Sequence, residues 1–331
     1  MSQPSVFVTR RIAPEALEKL AQVCQVEVWQ EETPPPAQTL AEKAAHAQGL
    51  LTLLTDPVSA DLIHQSPELK VISQMAVGYD NIDIAAATQA GIPVGHTPGI
   101  LTETTADFTW ALLMAAARRV VEAHQEVQQG IWRPWGPDVL TGVDLYGATL
   151  GIVGFGRIGQ AVARRAAGFD MQVLYSDPHC DPEEEKRTGA RCVSLDELLR
   201  QSDFVTLHTY LSPETFHLIS TDQLKKMKPS AILINTSRGP VVDSQALDQA
   251  LQDGIIAGAA LDVTEPEPIP QDSPLLRRPN VIVTPHIASA SKATRRRMAE
   301  MAVENLIAGV TDQRLPHCAN PDVYTQKKFS K

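Results

Sequence analysis

Three side chains with anion-binding, acid and base chemistry stand at the ends of apolar runs in the second half of the chain. They are Arg238 in INTSRGPVVD (234–243), a glutamate in LDVTEPEP (261–268) and His286 in TPHIASAS (284–291). A histidine can donate a proton near neutral pH. A neighbouring carboxylate favours the protonated ring and fixes its tautomer. An arginine grips a carboxylate through two charge-assisted hydrogen bonds and can polarise a carbonyl. The set suits reduction of a 2-keto acid, whose carbonyl oxygen must gain a proton as the carbon gains a hydride. Residue chemistry leaves Glu265 and Glu267 as rival carboxylates.

A donor of hydride has its own signature upstream. Gly154-Phe155-Gly156-Arg157-Ile158-Gly159 reads GxGxxG, directly after the apolar run TLGIV and before RIGQAVARRAA. The first glycine permits a tight turn, the second a close approach of backbone to a pyrophosphate, the third close helix–strand packing. The following helix N-terminus offers unpaired N–H groups to phosphate. Asp177 closes the next strand, 23 residues after Gly154 (177 − 154), near the ~20 expected of an acid that accepts from both ribose hydroxyls. A carboxylate there repels a 2′-phosphate, so NAD(H) is preferred over NADP(H).

These residues need a scaffold of strand ends. Short apolar runs at 5–9, 49–54, 71–75 and 92–95 alternate with helical spacing, as at 14–23. They predict a first βα layer over about the first 99 residues. A second series of strands at 149–153, 172–175, 204–207, 231–235, 258–261 and 281–283 has helices at 157–167 and 195–200 between them. Alternation of this kind predicts an α/β protein with doubly wound parallel sheets, whose ligands bind at the carboxyl ends of strands. A long apolar helix is expected at 104–119 and another at 288–310, with a local turn or loop at the prolines 34–36. The segment 130–146 (GIWRPWGPDVLTGVDLY) carries Trp132 and Trp135 among prolines and glycines. Two such rings are costly to leave wet, which suggests a small satellite core or an arm onto a partner subunit.

Composition narrows the function classes. The 331 residues are 43% hydrophobic and 21% charged, with a net charge of −10. That is globular, not disordered. The acidic field argues against nucleic acid as a partner. No apolar run is long enough to span a bilayer, and the start MSQPSVFVTRR lacks a signal-peptide core. Four cysteines (Cys24, Cys180, Cys192, Cys318) show no CxxC or finger spacing. Free thiols in a reducing cytoplasm, and no metal, are expected.

Together with VGYDNIDI (77–84) and GIPVGHTPG (91–99), these motifs resemble the D-isomer-specific 2-hydroxyacid dehydrogenase family over nearly the whole chain. Within it, the chain resembles the glyoxylate/hydroxypyruvate reductase branch. The resemblance implies two doubly wound domains. A flavodoxin-like substrate domain, 1–99 and 287–331, holds an inserted Rossmann NAD domain, 100–286. Closure about hinges near 99 and 287 is expected. The family's glutamate lies 29 residues after its arginine and 19 before its histidine. Glu267 fits both (267 − 238 and 286 − 267) and Glu265 neither.

By the same resemblance, Asp262 holds the nicotinamide carboxamide. Thr105, Tyr210, Thr215, Thr236 and His286 line the cofactor, beside Gly154, Gly156, Arg157, Ile158, Gly159 and Asp177. The backbone N–H groups of Val77 and Gly78 join Arg238 on the substrate carboxylate, as an anion nest. A homodimer through the nucleotide domain and the 130–146 arm is implied, with Trp132 or Trp135 reaching the neighbour's active site or packing at the interface. Ala288 replaces the family's usual glycine, and Ser176-Asp177-Pro178 stands where NADP(H)-preferring members carry an arginine. Other keto acids (pyruvate, 2-ketobutyrate, phenylpyruvate) are rival substrates. Phosphite dehydrogenases carry a lysine where Val77 stands. A non-catalytic NAD-sensing regulator would need no proton donor.

Overall fold

The computed structural model describes residues 3–326. The outermost parts of the expected first domain, residues 1–2 and 327–331, lie outside the described residues. The chain divides into two compact units, Met1–Leu101 with Ala290–Lys331, and Thr102–Ser289.

The first unit holds five strands: β1 (Ser5–Val8), β2 (Gln25–Val28), β3 (Gly49–Thr52), β4 (Val71–Gln74) and β5 (Val94–Gly95). Their order is β2-β1-β3-β4-β5 and every pairing is parallel. That is the flavodoxin-like winding. Strand residues alternate between two apolar layers, because successive side chains leave opposite faces. Val6, Val8, Leu51 and Val71 face one layer; Phe7, Leu50, Ile72 and Val94 face the other. The helix Lys292–Val310 covers the first layer, and Ser73 Oγ donates to Ala302 O at 2.7 Å. This helix starts at 292 rather than the expected 288, because Ser291 caps it by accepting from the Thr294 N–H.

The second unit holds β6 (Thr149–Val153), β7 (Gln172–Ser176), β8 (Arg191–Cys192), β9 (Phe204–Leu207), β10 (Ile232–Asn235), β11 (Gly258–Leu261) and β12 (Val281–Val283). All run parallel in the order β12-β11-β10-β9-β6-β7-β8. The chain reverses its direction of winding between β6 and β9, which opens a crevice at their carboxyl ends. Both faces are again apolar: Leu150, Ile152, Ile232 and Ile234 look one way, Val153, Val205, Leu207 and Leu233 the other. The helix Thr102–Ala117 lies on the first face, where the Trp110 indole N–H donates to Val162 O and its ring stacks on Phe169. The two doubly wound parallel sheets expected from the sequence are thus present.

Two expectations need correction. Cys180 and Cys192 are joined in a disulfide with Cα atoms 5.8 Å apart. Only Cys24 and Cys318 are free thiols, and burial pushes the Cys24 thiol up to about 11. The loop after β7 folds back onto β8 and brings together cysteines that no short spacing flags. Trp132 and Trp135 form no satellite core: they are 79% and 92% exposed. Segment 130–146 is almost devoid of regular structure and is tied down by Val143 N–H to Ala117 O and by Arg133 to Glu126.

Candidate active site

The phosphate loop starts where β6 ends. Gly154 has φ +90, and a Cβ there would lie 2.8 Å from the carbonyl of His208. Gly159 faces the Gly154 carbonyl so closely that no side chain fits. Gly156 caps the helix Arg157–Ala166, with no side chain on the cap. The first N–H groups of that helix have no acceptor one turn back, and a Cβ on Gly156 would meet open space. Arg157 and Gly156 are exposed, Ile158 half-buried. This is an anion cradle.

Asp177 sits one residue past β7. Its carboxylate accepts from the Phe155 N–H at 2.8 Å and the His179 N–H at 3.0 Å. Asp177 is therefore fastened directly to the glycine loop. Just past β9, His208 Nε2 and Thr209 Oγ1 are sealed from solvent with no hydrogen-bond partner among the described residues. Burial pulls the His208 imidazole down to about 3, so it stays neutral. Orphaned polar atoms beside a bare helix N-terminus fit a dinucleotide. Sequence reading missed His208 and Thr209, although their place at a strand's carboxyl end was the available signal. Thr105 and Thr236 are buried on either side of Thr109, whose hydroxyl donates to Thr105 O and lies 2.9 Å from Thr236 Oγ1. Thr215 Oγ1 donates to the Tyr210 carbonyl, and the Tyr210 side chain is exposed.

Arg238, the two glutamates and His286 follow three neighbouring strands. After β10, Asn235 gathers the next turn: its Oδ1 accepts from the Ser237 N–H and hydroxyl, and its Nδ2 donates to Arg238 O. Arg238 Nη1 donates to Ser237 O, leaving the guanidinium half-buried at the strand end. After β12, His286 takes φ +54. Its N–H donates to Asp262 O and Thr284 O. The Asp262 carboxylate, 1% exposed, accepts from the Thr284 hydroxyl and the Ile287 N–H on one oxygen and the Ala288 N–H on the other. Burial raises the Asp262 carboxyl against those donors. Asp262, read from the sequence as a carboxamide ligand, is thus the post on which the histidine turn is wound.

His286 Nδ1 lies 2.7 Å from Glu267 Oε1. Glu265 turns elsewhere, to His217 Nε2 at 2.7 Å. A cavity of about 350 Å³ opens beside the pair, lined by Asp262, Thr264, Glu267, Thr284 and His286 with apolar Ile269 and Leu276. In the other unit, Val77 and Gly78 follow β4 in a half-buried turn, where Val77 O meets His96 Nδ1 at 3.0 Å. Among the described residues no cluster of metal-binding side chains occurs.

Residues 110–288, more than half of the chain, match the family model described as D-isomer specific 2-hydroxyacid dehydrogenase, NAD binding domain. The chain belongs to that family. It is an oxidoreductase, and its second unit binds a nicotinamide dinucleotide. A curated glyoxylate reductase from Korarchaeum cryptofilum is 52% identical, with 97% of each chain covered. A solved Thermus thermophilus protein superposes with a TM-score of 0.90 at 46% identity, covering 95% of this chain and 99% of that one. An NADPH-dependent glyoxylate/hydroxypyruvate reductase from Sinorhizobium meliloti, solved with NADP and malonate, matches at TM-score 0.84 and 32% identity, covering 97% and 98%. Among the described residues no helix is long and apolar enough to cross a membrane.

Proposed function

We propose that this dehydrogenase reduces glyoxylate or hydroxypyruvate to the corresponding 2-hydroxy acid with NADH. When bound, the reduced nicotinamide supplies a hydride to the carbonyl carbon. Arg238 pairs with the substrate carboxylate, joined by the backbone N–H groups of Val77 and Gly78. His286 gives the Nε2 proton to the carbonyl oxygen as its C=O electron pair becomes the new O–H bond. Glu267 holds the ring through Nδ1, so that Nε2 faces the substrate. The observation that carries this reading is the 2.7 Å His286–Glu267 pair, on the loops after β12 and β11, with Arg238 on the loop after β10, which adjoins β11.

Cofactor choice follows the acid at Asp177, which favours NADH over NADPH even though the Sinorhizobium relative is NADPH-dependent. The cofactor cradle comprises Gly154, Gly156, Arg157, Ile158 and Gly159. Thr105, Tyr210, Thr215, Thr236 and Asp262 line its nicotinamide and ribose side. The first unit serves the substrate and the second the nucleotide. The exposed Trp132, Trp135 and Tyr146 support a homodimer through the second unit and the 130–146 arm. A cytoplasmic setting gives access to the soluble nicotinamide pool.

The test is a panel of glyoxylate, hydroxypyruvate, pyruvate, 2-ketobutyrate and phenylpyruvate, each with NADH and NADPH. The highest kcat/KM is expected for glyoxylate or hydroxypyruvate with NADH. A higher value for phenylpyruvate or pyruvate would overturn the substrate assignment.

A further inference from the structure

A second histidine–glutamate pair stands beside the first. His217 Nε2 lies 2.7 Å from Glu265 Oε2, two residues before Glu267. The pair is half-buried, with side chains 33% and 29% exposed. One face of the ring is covered by Phe216, centroids 4.0 Å apart and nearly parallel, and Nδ1 points toward Asp243 Oδ2 at 4.0 Å. His217 takes φ +50, in the left-handed region uncommon for residues other than glycine.

Those surroundings are the two loops that carry the reacting groups. The His217 N–H donates to Pro240 O, the Ile219 N–H to Val241 O, and the Asp243 N–H back to Ile219 O. Segment 217–219 is thus laced along 240–243, directly after Arg238. Its ring meanwhile reaches Glu265 in the loop that carries Glu267. The two loops also touch each other, since Gly239 presses on the Thr264 carbonyl with no room for a Cβ.

We propose that His217 and Glu265 are positioning residues: a brace that fixes the Arg238 loop and the Glu267 loop relative to each other. This rests on the reading of Arg238, Glu267 and His286 given above. The brace touches neither substrate nor cofactor. It acts by holding the Glu267 carboxylate on His286 Nδ1 and the guanidinium at its strand end. Displacing a catalytic group by an ångström can cost about a hundredfold in turnover.

The experiment measures NADH-dependent glyoxylate reduction, and NADH affinity by fluorescence titration, for His217→Ala, Glu265→Ala, the double variant, His217→Gln and His286→Ala. The single alanine variants are expected to lose between about tenfold and a hundredfold in kcat/KM, the double variant no more than either. NADH affinity is expected to stay within about twofold, since no phosphate or ribose contact is removed. His217→Gln, whose amide N–H can still reach Glu265, is expected to recover most of the activity. Additive losses, no recovery of activity in His217→Gln, or full activity in His217→Ala would overturn the brace. If His217→Ala does not fold, Glu265→Gln carries the same comparison. Inactive His286→Ala beside unaffected His217→Ala defeats the brace alone; fully active His286→Ala defeats the active-site reading itself.

Discussion

His286 Nδ1 and Glu267 Oε1 lie 2.7 Å apart, although their residues sit on loops after different strands. The distance marks a full hydrogen bond, so the glutamate sets which ring nitrogen faces outward. Glu267→Gln preserves shape and removes the charge. Its kcat for glyoxylate is expected to fall about a hundredfold with little change in NADH affinity. Steady-state kinetics check this; a kcat within twofold of the parent would count against a role in proton transfer.

Asp177 is fastened to the Phe155 N–H of the glycine loop at 2.8 Å. In the proposed function this carboxylate accepts from the ribose hydroxyls and repels a 2′-phosphate. Asp177→Ala is expected to lower kcat/KM with NADH and raise it with NADPH. An unchanged ratio of the two would remove Asp177 from cofactor selection.

The Cys180–Cys192 disulfide closes a loop across a separation of 12 residues at the edge of the nucleotide sheet. Constraining the unfolded chain over a loop of this size is worth about 3 kcal/mol. Cys180→Ser is expected to lower the unfolding free energy by up to that amount, and dithiothreitol to lower it in the parent but not in the variant. Identical denaturant midpoints for parent, reduced parent and variant would contradict it.

Burial holds His208 at about 3, below its ordinary 6.5. Below pH 6.5 the unfolded chain takes up a proton that the folded ring refuses until about pH 3. The folded state's advantage is therefore intact above pH 6.5 and is lost as pH falls, by at most about 1.4 kcal/mol per pH unit. His208→Asn is expected to flatten the stability profile between pH 7 and 4. Denaturation series at several pH values test it, and parallel profiles for the two proteins would disprove it.

The central strands were legible because both faces are buried and their runs are continuously apolar, as in Ile232–Asn235 and Phe204–Leu207. The edge strands β2 and β8 escaped notice. Gln25–Val28 alternates with polar residues, and Arg191–Cys192 is only two residues long. Edge strands pair on one side only and leave a weak apolar signature. The cystine was illegible because its half-cystines meet through a loop rather than a spacing. At the site, strand-end position pointed to Arg238 and His286 from sequence alone. Residue chemistry could not separate Glu265 from Glu267, since each is a glutamate before a proline; the hydrogen bonds send one to His217 and the other to His286. The role of Asp262 as the anchor of the 284–288 turn depends on three hydrogen bonds made across strands, which no linear pattern carries.

The proton from His286 is the central step of the proposed reaction. NADH oxidation with glyoxylate, followed at neutral pH for the parent and His286→Ala at saturating substrate, measures it. A drop in kcat of about 10²–10⁴-fold, with NADH still bound by the variant, is the result expected of a lost general acid. Turnover by His286→Ala near the parental rate would contradict it.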